Sequence, residues 1–113
     1  FLFNAMNRGF DPWYGRVGRH LHVLRSDASV ERKVGAIEAL ALQSQPESIV
    51  GLERALHGDE LAVARHAAWA LGVQARSPMR PIATRPLVKV LDDPRPEVRR
   101  EALIGLARLQ YRA

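Results

Sequence analysis

Residues Leu61–Gly72 read LAVARHAAWALG, and Pro96–Ala107 read PEVRREALIGLA. At a spacing of 35 residues, Val63 meets Val98, Arg65 meets Arg100, Ala67 meets Ala102, Ala70 meets Gly105 and Leu71 meets Leu106. The match runs upstream without a gap. Leu52-Glu53-Arg54-Ala55-Leu56 lies over Leu87-Val88-Lys89-Val90-Leu91. A weaker copy, Val30-Glu31-Arg32-Lys33-Val34, stands 33 residues before the stretch at Val63. A fixed period in this range is the mark of a repeat array.

The unit has a physical reading. Val98, Ala102, Gly105, Leu106 and Leu109 fall at i, i+4, i+7, i+8 and i+11, one stripe of a helix. Val63, Ala67, Ala70 and Leu71 make the same stripe. Small residues at the middle positions let two backbones approach, so the stripe faces another helix. The upstream segments, Ile49–Leu56 and Leu87–Leu91, are second, shorter apolar helices. Each unit is an antiparallel helix pair, and one pair cannot bury its own apolar face, so pairs must stack.

Pro86-Leu87, then Leu91-Asp92-Asp93-Pro94, then Pro96-Glu97-Val98-Arg99, then Ala102 and Leu106 resemble a HEAT repeat. Ala67–Gly72, AAWALG, is similar to the short bacterial HEAT-like repeats of phycobilisome-lyase relatives. The resemblance spans roughly residues 16–113. It implies an all-α chain, an α-solenoid of about three HEAT-like antiparallel helix pairs in a right-handed superhelix. The family usually places an Arg just after the second-helix Val, paired with an Asp of the preceding turn. Here only Asp93 and Arg99 are so placed; Ala64 and Glu31 hold the equivalent positions.

At 113 residues the chain is one domain, with room for about three helix pairs. Residues 1–15 read as an arm or cap. Residues 16–113 read as the array, its pairs at about 16–42, 46–72 and 79–111. Apolar residues make up 47% and aromatics 6%, which suits a core of Leu, Val and Ala. With no Cys there is no disulfide framework and no thiolate metal site. No apolar run approaches membrane-spanning length. The cytoplasm is the default compartment. The first residue is Phe rather than Met, which points to a processed or truncated product.

Net charge is +5 but uneven. Residues 1–33 hold six basic and three acidic groups, residues 34–75 two and five, residues 76–113 nine and four. A stripe for nucleic acid would not turn acidic in its middle, which weakens the case that the high pI makes for DNA or RNA.

The arm FLFNAMNRGFDPWYG holds five of the seven aromatics among turn-forming residues. It reads as a cap over the first repeat, or as a docking segment with Phe10, Trp13 and Tyr14 as anchors. A third reading makes it the stub of a membrane-proximal segment. Arg16–Arg25 is the first helix, with Val17, Leu21 and Leu24 on one face. Ser26 or Asp27 caps the next, which runs from about Ala28 to Leu42. Pro46 suits the first position of the third helix, which Gly58 ends. Val73–Thr84, VQARSPMRPIAT, is an irregular basic join, and Pro86 marks the start of the fifth helix. The last helix runs from Pro96 to about Tyr111. It carries apolar residues with no polar capping helix after it, as in an array that continues or is covered by a partner.

Two residues after each framework Val stands an Arg: Arg32, Arg65 and Arg100. Two helical residues turn about 200°, so these point away from the packed stripe. Four residues further come Ala36, Trp69 and Ile104. In HEAT-like arrays the second helices line the concave side, so the resemblance implies a groove. Arg32, Arg65, Trp69, Arg100 and Ile104 form the expected contact surface, for an acidic segment with apolar anchors.

Catalytic signatures are missing. The histidines at 20, 22, 57 and 66 lack metal-ligand spacing. Arg65-His66-Ala67-Ala68 is similar to the repeats of HEAT-type deoxyhypusine hydroxylases, but the His-Glu pair that holds iron there is absent. His66 and Glu101 are placed to interact across neighbouring repeats. No phosphate loop or nucleophile elbow is present, and no cofactor is implied. The expected function is non-catalytic: a protein–protein interaction scaffold or a subunit of a larger assembly. Alternatives are a nucleic-acid-binding module of glycosylase type and a bilin-lyase-like subunit, since both use HEAT-like arrays.

Overall fold

The computed structural model describes residues 17–43, 45–74 and 78–112, with side chains described as far as residue 108. Six helices carry these residues: α1 Arg19–Arg25, α2 Val30–Leu40, α3 Pro46–Leu56, α4 Leu61–Gln74, α5 Arg80–Lys89 and α6 Pro96–Arg112. They form three antiparallel pairs in two layers. α1, α3 and α5 make one layer, and α2, α4 and α6 the other. No strand occurs among the described residues. The architecture is a small helical solenoid.

The sequence explains the helix ends. Ser29 caps α2, its hydroxyl accepting from the Arg32 N–H at 3.2 Å. Ser26, one of the two expected caps, instead closes α1, donating to the Val23 carbonyl and accepting from Ala28 N–H. Pro46 opens α3, where its missing N–H costs nothing. Gly58 follows α3 without a left-handed turn, since no described residue has positive φ.

The join expected at Val73–Thr84 is mostly helix. α4 continues through Gln74, and α5 begins at Arg80 with Pro81 in its first turn. Residues 75–77 lie outside the described ones. Pro86, expected near the start, stands inside α5 and is buried. An interior proline removes one i→i−4 hydrogen bond, a cost set against the burial of Pro86 and Leu87 in the core.

α4 is the axis of the core. Ala64, Ala67, Ala68, Ala70 and Leu71 are fully buried, packed with Ile37, Leu40, Leu52, Leu56, Leu87, Val90 and Val98. The close approach expected from small residues is present. A Cβ added to Gly72 would stand 3.0 Å from the Gly105 Cα, so α4 and α6 touch backbone to backbone. Gln74 is buried, and its Nε2 lies 3.0–3.1 Å from the carbonyls of Leu40, Ala41 and Gln43. It therefore satisfies the open end of α2 from the last turn of α4.

Burial corrects the register of the first copy. α2 and the cap residue after it bury Ala36, Ile37, Leu40 and Ala41, and α4 buries Ala67, Ala68, Leu71 and Gly72. These sets superpose at a spacing of 31 residues. The expected spacing of 33 would set exposed Glu38 against fully buried Leu71. Arg32 is thus equivalent to Val63, and Val34 to Arg65. Ala36, expected on an outer row, is 4% exposed and belongs to the core.

The turn before α6 holds the second and third pairs together. The Arg95 guanidinium donates to Gly58 O at 2.7 Å and Leu56 O at 3.0 Å, and pairs with both oxygens of Asp93. That contact holds the Asp93 carboxyl down at about 2. Asp93 and Arg99 were the expected ion pair. Arg99 instead donates to the Asp93 main-chain oxygen at 2.7 Å, because Arg95 occupies the carboxylate.

Candidate functional site

Trp69 lies half-buried on α4, its body packed against the core. With Arg65 and His66 from the same helix, Glu38 from α2 and Glu101 from α6, it lines a concavity of about 200 Å³. Arg65 and Trp69 stand four residues apart, so they share one helix face. The corrected register explains why Glu38 joins them. Glu38, Trp69 and Ile104 hold equivalent positions on three successive helices, at spacings of 31 and 35.

His66 Nδ1 lies 2.8 Å from the Ala62 carbonyl, which can only accept, so Nδ1 carries the proton. In the neutral ring, Nε2 is left as an acceptor. His66 and Glu101 line the same concavity from adjacent repeats. Among the described residues, Glu38, Arg65 and Glu101 make no side-chain hydrogen bond or ion pair.

The expected contact row is only partly assembled. Arg65 and Trp69 come together. Arg100 and Ile104 are exposed on α6, outside the concavity's lining. Arg32 is exposed on the first turn of α2, displaced by the register. Phe10, Trp13 and Tyr14 lie outside the described residues. Glu38 was not foreseen, because only the cross-helix register places it beside Trp69.

A larger groove, about 710 Å³, runs between α1 and α3, with Leu21, Leu24, Val50 and Ala55 among its apolar lining and the Lys33–Glu60 ion pair (2.9 Å) on its wall. Among the described residues, seven-residue α1 runs beside eleven-residue α3 here. Leu21 contacts α3 at Gly51, where an added Cβ would collide with it. No aromatic side chain lines this groove among the described residues.

Among the described residues, no helix is long and apolar enough to cross a membrane. No three His, Asp or Glu side chains there come together as a metal site would need. The model of the family described as HEAT repeats matches residues 20–107. A search of curated proteins finds no match.

Proposed function

The chain belongs to the HEAT repeat family, and on that premise we propose that it is a non-catalytic scaffold or complex subunit binding a partner polypeptide across α2, α4 and α6. HEAT repeats generally mediate protein–protein interaction. The observation that carries the reading is Trp69. It is a large aromatic, half-exposed in a concavity that three helices build and no side chain of the described chain fills. Tryptophan is among the residues enriched at the points of an interface that carry most of its binding energy. Arg100 and Ile104 extend the surface along α6.

The test is capture from the native source with wild-type chain, Trp69→Ala and Arg65→Glu. Arg65→Glu should melt within a few degrees of wild type, and Trp69→Ala should melt lower because its ring packs against the core. Both variants, checked as folded by circular dichroism at the capture temperature, should lose the stoichiometric partner. Retention of that partner by both variants would remove this surface from the function.

One observation favours a second reading. Arg85, Lys89, Arg100 and Arg108 are all exposed on the third pair. If nucleic acid binds there, affinity must fall steeply between 50 and 200 mM salt (figures typical of phosphate contacts). Binding that ignores salt would exclude it.

A further inference from the structure

Building on the reading that a partner lies across α2, α4 and α6, we propose that the concavity around Trp69 receives a cationic side chain of that partner, a lysine or an arginine. Its volume of about 200 Å³ is below the roughly 300–1,000 Å³ of small-molecule sites. It suits a single side chain.

Most of what its walls offer accepts rather than donates. Glu38 and Glu101 come from the helices on either side of α4, and neither carboxylate is paired among the described residues. His66 uses its ring N–H on Ala62, so in the neutral ring Nε2 also accepts. The indole face carries the negative part of the ring quadrupole. An ammonium or guanidinium within about 6 Å of that face is attracted to it.

Arg65 is the opposing charge. It and Glu38 are both exposed, so water and salt screen these two opposite charges alike. Glu101, His66 and Trp69 are half-buried and act through a lower dielectric. Two carboxylates against one guanidinium make the concavity locally negative on a chain whose net charge is +5. An acidic partner side chain, which the arginines alone would have favoured, would meet Glu38 and Glu101 at close range.

The experiment uses the full ¹⁵N-labelled chain at low ionic strength. The probes are three blocked tripeptides, acetyl-Gly-Xaa-Gly-amide with Xaa as Arg, Lys or Glu. The Trp69 indole N–H resonance is assigned by its loss in Trp69→Phe. The Arg and Lys peptides should shift that resonance saturably, and the Glu peptide should not. The double variant Glu38→Gln/Glu101→Gln should bind the cationic peptides at least about fivefold more weakly, with an unchanged circular dichroism spectrum. Three results would each overturn the proposal: no response to the cationic peptides, an equal response to the Glu peptide, or wild-type affinity in the double variant. If the cationic peptides fail while Trp69→Ala still loses the native partner, the interaction surface stands and only its cation preference falls.

Discussion

Gly72 and Gly105 decide how closely α4 and α6 can lie. A Cβ on Gly72 would meet a backbone atom, the Gly105 Cα, at 3.0 Å. Backbone cannot swing aside as a side chain can, so the helices must part. Overpacking of this kind costs about 1–3 kcal/mol, which outweighs the roughly 1 kcal/mol of helix propensity that alanine adds. Gly72→Ala should therefore lower stability by up to about 2 kcal/mol on balance. Gly35 is the control. It lies inside α2, exposed, with nothing within 4 Å of an added Cβ. Gly35→Ala should raise stability by about 0.5–1 kcal/mol. Urea denaturation reads both, and equal signs would refute the close-approach account. Ser48 adds a third residue. It is fully buried on α3 and its hydroxyl has no hydrogen-bond partner among the described residues. At the equivalent place, 35 residues on, α5 carries Ala83, also fully buried. Ser48→Ala should be neutral or stabilising by up to about 1 kcal/mol; a clear loss would mean the hydroxyl is satisfied.

At the scale of the element, Asp93 and Arg95 tie the turn before α6 to the end of α3. A guanidinium on the last carbonyls of a helix also suits the helix dipole. The folded Asp93 carboxyl sits at about 2, below its ordinary 3.8, chiefly because Arg95 hydrogen-bonds it. The lowered value fixes the sign. The pairing contributes fully above pH 4 and is lost as pH falls from about 4 towards 2. Its whole contribution is about 2 kcal/mol. Asp93→Asn should cost about that much at pH 7, and the gap to wild type should narrow as pH falls below about 4 and close only below about pH 2. A gap that persists in acid would show that the carboxylate charge is not what holds the turn. This staple was only half-legible in the sequence. The resemblance to the family picked out Asp93 but pointed to Arg99 as its partner, since a family pattern does not say which guanidinium reaches across to α3. The second and third helix pairs were legible because Val63, Ala67 and Leu71 repeat at Val98, Ala102 and Leu106 as one buried stripe. The first copy misled because Val30 and Val34 imitate the framework valines. Only the burial of Ile37 and Leu40 sets its register. For the same reason Trp69 and Arg65 could be read from α4 alone, whereas Glu38 could not.

Across the whole molecule, stability is graded by how many neighbours each helix has. A stacked array is held by contacts between adjacent units. α4 packs on α2, α3, α5 and α6, whereas α1 packs on α2 and α3 and buries none of its seven residues fully. Among the described residues α6 also packs on only two helices, but it buries Val98 and Ala102 fully. α1 is therefore the helix that opens at least cost, and α4 opens only when the array does. That arrangement serves the proposed interaction surface. Trp69, Arg65 and His66 stand on the most supported helix, so their geometry is fixed before a partner arrives and little ordering cost falls on binding. Native-state hydrogen exchange tests the gradient. Amides of Ala67, Ala68 and Leu71 should exchange only through global unfolding, with a denaturant dependence equal to that of the whole chain. Amides of Val23 and Leu24 in α1 should exchange through a smaller opening, at least about 2 kcal/mol easier, which is roughly 30-fold in protection. Equal protection in α1 and α4 would mean that the three pairs unfold as one cooperative unit, and the local rigidity assigned to Trp69 would then be no greater than that of the array's first helix.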